Sequence, residues 1–129
     1  MTPAELIADA IADVCDVAQA VPFRPTRLEG RMAFVEPADP WKQLDESFCG
    51  ISIGLDAFLV AGSTDPIEAG RWLDAQSTAL MGHPGVDVGD DVVRAVEVDP
   101  PFLFAQGNPV ATFFACRIQF SRFTQEESP

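Results

Sequence analysis

This sequence is short of cations, histidine and cysteine, and it has no tyrosine. Its 8 Lys and Arg residues face 20 Asp and Glu residues, which gives a formal net charge of −12. Binding to nucleic-acid phosphates or to anionic membranes depends on clustered Lys and Arg. The charge therefore argues against both as binding partners. DNA can still pass close to such a surface without being held there.

The residues that usually carry chemistry are few. Cys15, Cys49 and Cys116 lie in apolar runs without a CxxC spacing, which is typical of buried thiols in a protein that folds in a reducing compartment. The single histidine, His83, lies in a GHPG turn with no residue at metal-ligand spacing. Neither a nucleotide-binding glycine motif nor a GxSxG elbow is present. We therefore predict no enzyme, with no catalytic residue, metal or cofactor, and interpret the carboxylate pairs as a solvated acidic surface.

The length and the apolar content predict one soluble domain. The 129 residues are 47% apolar, enough to form a core without disulfides or metals. No apolar run is long enough to span a bilayer, and the amino-terminal segment lacks the cationic start of a signal peptide. We expect a single α+β domain over residues 1–123 and a flexible tail over 124–129.

The periodicity predicts the element order α-β-β-α-β-β. A capping box at Thr2-Pro3-Ala4-Glu5 begins a helix that we expect to end near Ala20. Asp65 and Pro66 begin a second helix, and Gly82 ends it. The predicted strands are 31–35, 50–61, 91–98 and 110–120. The economical arrangement is a mostly antiparallel four-stranded sheet with two helices packed on one face.

The second face of this sheet is also partly apolar. Phe58, Val60 and Phe113 fall on the side that the helices do not cover. We infer that a neighbouring subunit or another protein covers this face, with Phe58 and Phe113 in the contact. The alternative is a third layer built from the chain's own loops. On the same face Asp56 lies within a strand, where we expect it to pair with Arg117 or Arg94.

An acidic connection, VEPADPWKQLDESF, follows the strand 31–35, which we expect Glu36-Pro37 to end. A connection of this length is more often functional than merely connective. We predict that Asp39, Trp41, Lys42 and Phe48 form a contact with another protein, with the tryptophan as its anchor. The alternative is that Trp41 is a plug buried in the chain's own core.

Arg24, Arg27 and Arg31 hold three of the eight cations within eight positions. One interpretation is that they form surface ion pairs with the chain's own acids, each worth less than about 1 kcal/mol. The other is that they form a basic edge that meets an acidic edge on the next copy of the molecule. The sequence leaves both open.

The order and length of the segments resemble the tail terminator proteins of long-tailed bacteriophages. The resemblance covers essentially the whole chain and contains no catalytic or ligand motif. It is carried by the short first helix and by four segments, FVEPADPW, ISIGLDAFLVAG, DPIEAGRWLDAQSTAL and ATFFACRIQF.

This resemblance implies a ring, commonly a hexamer, that caps the tail tube and ends its polymerisation. The expected partners are further copies of the chain, the tail tube protein and a head-connector protein, with DNA only passing through the lumen. The expected location is the virion, after synthesis in the host cytoplasm. One alternative is a related neck or tail-completion subunit. Another is a small-molecule-binding α+β domain with Trp41, Trp72 and Phe102–Phe104 around a pocket.

Overall fold

A computed structural model describes residues 1–45 and 50–125 of the chain. It contains two helices, α1 (Pro3–Val14) and α2 (Pro66–Met81). The strands are β1 (Gln19–Val21), β2 (Met32–Asp45), β3 (Gly50–Val60), β4 (Val86–Val88), β5 (Asp91–Val93), β6 (Ala95–Val98), β7 (Phe102–Gln106), β8 (Ala111–Phe120) and β9 (Phe123–Gln125). Phe48 and Cys49 lie outside the described residues.

Both helices begin at the predicted caps. The Thr2 hydroxyl accepts from the Glu5 amide while the Glu5 carboxylate accepts from the Thr2 amide, which completes the capping box. Asp65 caps α2 by accepting from the Ile67 amide. The predicted end of α1 near Ala20 is wrong, because residues 19–21 pair with β2 in parallel instead.

The sheet has seven strands rather than the predicted four. Its central path is β1-β2-β3-β8-β6, and β1–β2 is the parallel pair among otherwise antiparallel ones. β9 continues along β3 beyond the end of β8, and β7 pairs with β8 beyond β6. The two helices and the mostly antiparallel sheet of an α+β domain are confirmed.

The four strands β1, β4, β7 and β9 were not predicted, because runs of three to five residues are too short to show a clear period. The predicted strand 91–98 is two strands, since β5 pairs with β4 in a separate hairpin and β6 joins the large sheet. Arg94 lies between them, and its amide donates to the Ser121 hydroxyl. β9 includes the first two residues of the predicted tail, and residues 126–129 lie outside the described part.

The helices cover one face of the sheet. Ile7 and Ile11 of α1 and Leu73 of α2 pack against the odd-numbered side chains of β3, such as Leu59, in the larger core cluster. The spacing of the α1 residues by four puts them on one side of the helix. The predicted placement of both helices on this face is confirmed.

The chain itself covers the apolar part of the second face. Phe34, Phe58 and Phe104 are buried there, with the rings of Phe34 and Phe58 stacked 5.0 Å apart. Residues 22–30, which we call the crossing segment, lie over them. Leu28 packs into this cluster and the Pro25 carbonyl accepts from the Gln106 side chain at the far edge. The inference that another protein must cover this face is therefore wrong for Phe58, which is only 8% exposed.

The return of the crossing segment to β2 requires a glycine at position 62. Gly62 has φ +69°, and a Cβ there would lie 2.6 Å from the carbonyl carbon of Gly30. Neither backbone can move without disturbing β2 or the end of β3. The crossing segment and β3 therefore meet at a contact that admits no side chain.

We predict that Gly62→Ala lowers the free energy of unfolding by at least about 2 kcal/mol, because it adds both a left-handed strain and a backbone clash. Gly70→Ala, in the interior of α2, is the matched control. No atom lies within 4 Å of its new Cβ, so the helix should gain about 0.5–1 kcal/mol. Urea titration of the two variants measures both effects. Equal stabilities would contradict the close contact at Gly62.

Candidate protein-interaction surface

As far as Asp45, where the described part stops, the acidic connection continues β2 through a bulge at 38–41 and is not a loop. β2 pairs with β3 on both sides of it, with Pro37 opposite Leu55 and Lys42 opposite Ile53. Residues 38–41 therefore face Gly54 alone. The prediction that Glu36-Pro37 ends the strand is wrong, because proline is tolerated in a strand where a bulge removes the need for its missing amide.

Arg122 holds the bulge against β3. It follows β8, opposite Gly54 on the other side of β3, and its side chain reaches across the glycine. The guanidinium donates to the carbonyls of Pro40 (2.9 Å) and Trp41 (3.1 Å). It also donates to the carbonyl of Ser52 (2.9 Å) and its hydroxyl (2.6 Å). A Cβ at position 54 would overlap Nη1 of Arg122, so the glycine makes room for this side chain.

Trp41 stands on the braced bulge and is 47% exposed. The ammonium of Lys42 lies 4.4 Å from the centroid of its indole ring, which is cation–π geometry. Asp39 is exposed on the same bulge. Three of the four residues predicted for this contact therefore lie together, and the fourth, Phe48, is outside the described residues. The alternative that Trp41 is a buried plug is wrong.

An apolar groove of about 560 Å³ opens beside Trp41. It lies where the helices leave the end of the sheet uncovered, between the start of α1 and the β4–β5 turn. Its walls include Pro3, Pro22, Leu55 and Phe123. An exposed indole at the rim of an apolar groove is suited to contact with a protein segment or an apolar ligand.

The second predicted contact patch, Phe58 and Phe113, is less exposed than the alternation of the strands predicted. Phe58 is buried under the crossing segment, and Phe113 is half-buried beside the same cluster. The guanidinium of Arg24 lies 5.1 to 5.5 Å from the rings of Phe34, Phe58 and Phe104. The chain itself buries Phe58, so a protein contact at this patch stays a prediction for Phe113 alone.

Two of the three predicted arginines pair with the chain's own acids. Arg24 makes a bidentate contact with Glu36, with donor–acceptor distances of 2.8 and 2.6 Å. Arg31 pairs with Asp16 at 3.0 Å and lies over the ring of Trp72. Arg27 is exposed and close to Gly107. The intramolecular interpretation therefore holds for Arg24 and Arg31. For Arg27, which makes no ion pair within 1–45 and 50–125, both interpretations stay open.

Asp56 is the buried charge of the second face. It is 7% exposed, and its carboxylate lies 3.7 Å from the Arg117 guanidinium, as predicted. Arg117 also binds Asp99 at 2.6 Å. Burial raises the pKa of Asp56 above its ordinary value, and Arg117 opposes this only in part. The other predicted partner, Arg94, donates to the Pro84 carbonyl instead.

The described residues bring no reactive group into this surface. Burial raises the pKa of the Cys15 thiol to about 11 and that of Cys116 to about 12, so both stay protonated at neutral pH. Nδ1 of His83 accepts from the Gly85 amide within its own turn. Over 1–45 and 50–125, no three His, Cys, Asp or Glu side chains are grouped as metal ligands would be.

Arg122 is the site residue that sequence reasoning missed. It lies between two strands, where nothing in the pattern separates a bracing arginine from a solvated one. The sequence feature that could have indicated this site is Gly54, because an isolated glycine inside a strand indicates a bulge or a close approach of another group to the backbone. That signal identifies the position of the bulge but not the residue that fills the space.

We predict that Arg122→Met loosens the bulge and lowers the free energy of unfolding by about 1–2 kcal/mol, because four hydrogen bonds from an exposed cation are lost. In a Trp72→Phe background, Trp41 fluorescence anisotropy should fall. Arg71→Met, on the exposed side of α2, is the matched control. An unchanged anisotropy would show that the bulge does not need its brace.

We predict that Asp56→Asn raises the free energy of unfolding at pH 7. The raised pKa means that the folded protein binds this proton more tightly than the unfolded chain does. The contribution of the carboxyl to stability is therefore greatest below its ordinary pKa of about 4 and is lost as the pH rises through the folded pKa. The advantage of Asn should shrink as the pH falls toward 4.

Asp99→Asn is the control, since it removes the closest partner of Arg117 and should destabilise at pH 7. Denaturant titrations from pH 3.5 to 7.5 compare the two variants with the wild type. A loss of stability in Asp56→Asn at pH 7 would mean that the Arg117 pair outweighs the cost of burial.

The described helices include none that is long and apolar enough to cross a membrane. No protein-family model and no curated protein sequence matches the chain.

Proposed function

We propose that this chain is a structural subunit of a bacteriophage tail, a terminator that forms a ring, caps the tail tube and joins it to the head-connector complex. The observation that carries the proposal is the braced, exposed Trp41. A large aromatic side chain that its own fold holds rigidly in solvent is the usual anchor of a protein–protein contact. Neither core cluster of the described residues includes a residue of the bulge, so packing in the core does not explain the tryptophan there.

The brace matters because it lowers the cost of association. A flexible loop loses conformational freedom when it binds, which weakens the contact. Here the four hydrogen bonds from Arg122 and the pairing on both sides of the bulge already fix the backbone of residues 38–41. A subunit that must add to a growing or finished tube gains from such a pre-shaped anchor.

The charge supports the same function. A net charge of −12 gives a ring an acidic wall that repels the phosphates of DNA in its lumen. The proposal therefore includes no specific nucleic-acid contact and no catalytic step. Its partners are other copies of the chain, the tail tube protein and a head-connector protein, and its place is the virion after synthesis in the host cytoplasm. The number of subunits that we propose is six.

Two other functions fit some of the same observations. A neck or tail-completion subunit would use the Trp41 surface equally well and would differ in the protein that it contacts. A binder of an apolar small molecule is favoured by the groove beside Trp41. The part of the chain that the structure describes does not bring Trp41, Trp72 and the segment Phe102–Phe104 around one pocket, because the sheet separates Trp72 from Phe104. A thermal-shift screen of apolar ligands tests the groove directly.

We predict that Trp41→Ala weakens assembly while the subunit stays folded. Because the indole is half exposed, its removal should change the melting temperature little, but it should cost about 2 kcal/mol per contact, as a hot-spot residue does. Mass photometry measures the ring, and electron microscopy with the cognate tail tube protein measures the capping of tubes.

Trp72→Ala is the contrasting variant. Trp72 lies on the buried side of α2, in the larger core cluster, so its loss should unfold or strongly destabilise the subunit. If Trp41→Ala unfolds the subunit in the same way, the exposed anchor is the wrong interpretation. If the wild type stays monomeric and leaves tube lengths unchanged at high concentration, the tail terminator function is wrong.

A further inference from the structure

The groove beside Trp41 belongs to a longer apolar surface. Ile53 and Leu55 of β3 line it, and they lie on the face of the sheet that the helices cover. Two positions farther along the same pair of strands, Leu44 lies opposite Ile51 and therefore faces the same side. Leu44 is 75% exposed. The apolar surface thus extends beyond the groove toward the end of β2.

Two carboxylates are hydrogen-bonded to residues that line this groove. The Asp91 carboxylate accepts from the amide of Thr124 at 2.7 Å. The Glu5 carboxylate accepts from the amide of Thr2 at 3.2 Å. Thr2 and Thr124 are both lining residues. The fold itself therefore holds these two negative charges beside the groove.

Two further carboxylates are exposed close to the groove. Asp90 follows the lining residue Gly89 in the β4–β5 turn. Asp39 lies on the bulge, two positions before the lining residue Trp41. Together with the two hydrogen-bonded carboxylates, they form a set that we call the rim carboxylates, Glu5, Asp39, Asp90 and Asp91.

The cations near the groove do not balance the rim carboxylates. Lys42 is the one Lys or Arg among the lining residues within 1–45 and 50–125. Glu36 also lines the groove, but its charge is already paired with Arg24. The Arg122 guanidinium lies on the other face of β3, where it binds the bulge. Even with the amino group of Met1 counted, the rim keeps an excess of negative charge, which attracts a cationic partner.

We infer that this groove binds a segment of a different protein in which apolar side chains are flanked by Lys or Arg. The inference rests on the docking role that the proposed function gives to Trp41, and it names the chemistry of the segment that docks there. The apolar side chains of the segment occupy the groove. Its cations meet the rim carboxylates, which fix its position and speed its association.

The chain itself offers no such segment. Residues 46–49 and 126–129, which lie outside the described part, contain no Lys or Arg. The densest group of cations runs from Arg24 to Arg31, and both of these arginines are paired with the chain's own acids. Leu28, between them, is buried in the aromatic cluster. A second copy would have to unfold this stretch to present it, so the partner is a different protein.

An uncharged small molecule would use only part of the site. A pocket for such a ligand buries most of the ligand's surface, whereas this groove is open and continues toward Leu44. The rim carboxylates would gain nothing from a ligand without charge. A segment that crosses the rim uses both the apolar walls and the carboxylates.

The test selects peptides from a random-peptide library on the immobilised full chain. The enriched peptides should place Lys or Arg beside apolar residues. One of them, labelled with a fluorophore, then serves as the probe, and its anisotropy gives a Kd for each variant. Binding to the wild type should weaken as salt is added, because the rim lies in solvent.

Charge-matched double variants separate the rim from the overall charge. Asp39→Lys with Asp90→Lys reverses two exposed rim charges. Asp13→Lys with Asp74→Lys makes the same change of net charge at exposed positions of the helices, outside the lining residues. We expect a Kd at least about tenfold weaker for the rim variant and within about twofold of the wild type for the helix control. Trp41→Ala should also weaken the Kd at least about tenfold.

Several results would overturn the inference. Enriched peptides without Lys or Arg, or equal Kd values for the rim variant and the helix control, would mean that the groove takes an uncharged ligand. Self-association that the rim variant loses and the helix control keeps would place a second copy in the groove. Circular dichroism and urea titration check that each variant is folded before its Kd is compared.

The peptide experiment does not depend on the tail. If the peptides bind as expected but the wild type forms no ring and leaves tube lengths unchanged, the inference stands and the terminator function fails. If no cationic peptide is enriched and the rim variant caps tubes as well as the wild type does, the terminator function stands and the inference fails.

Discussion

The central strand of this protein is buried on both faces, and one chain of 129 residues has to cover both. Ile53 to Val60 form a continuous buried run in β3. The helices cover the odd-numbered side chains, and the crossing segment with Arg24 covers Phe34, Phe58 and Phe104 on the other face. Burying an aromatic side chain of this size stabilises the fold by about 1.5–3 kcal/mol. The crossing segment is therefore part of the core rather than a surface loop, and the apolar surface that remains lies at edges and turns.

Gly54 marks where this three-layer arrangement ends. Toward Val60 the second face is apolar and covered, whereas toward Gly50 it is polar. At Gly54 both neighbouring strands bulge, and the side chain of Arg122 fills the space. The result is an exposed tryptophan on a braced bulge at one end of the sheet and an aromatic cluster covered by the chain itself toward the other.

The sequence predicted the helices and the long strands because caps and alternation are local signals. Thr2 and Asp65 begin their helices by hydrogen bonds to residues two or three positions away. In β8, Cys116, Ile118 and Phe120 lie on one face of the sheet, as their alternation predicted. The sequence did not predict β1, β4, β7 or β9, since strands of three to five residues are too short for a period. The sequence also predicted, wrongly, that β2 ends at Glu36-Pro37. A proline fits in a strand at a bulge, and whether a bulge forms depends on the pairing with the neighbouring strand. Trp41 and Lys42 are exposed, as a contact through them requires, and the contact itself stays a prediction. The residue that holds their bulge, Arg122, was not predicted.

By itself, then, the sequence determined the class of the fold, the net charge of −12 and the residue types of the Trp41 bulge. Those properties depend on residue type and on neighbours within about four positions. Only the tertiary structure decided what covers Phe58, which arginines are already paired and which side chain holds the bulge. It also brought the crossing segment against the β7–β8 hairpin, through contacts such as Pro25 with Gln106. These features depend on residues that are tens of positions apart, and their pairing is set by packing in space, which no local pattern encodes.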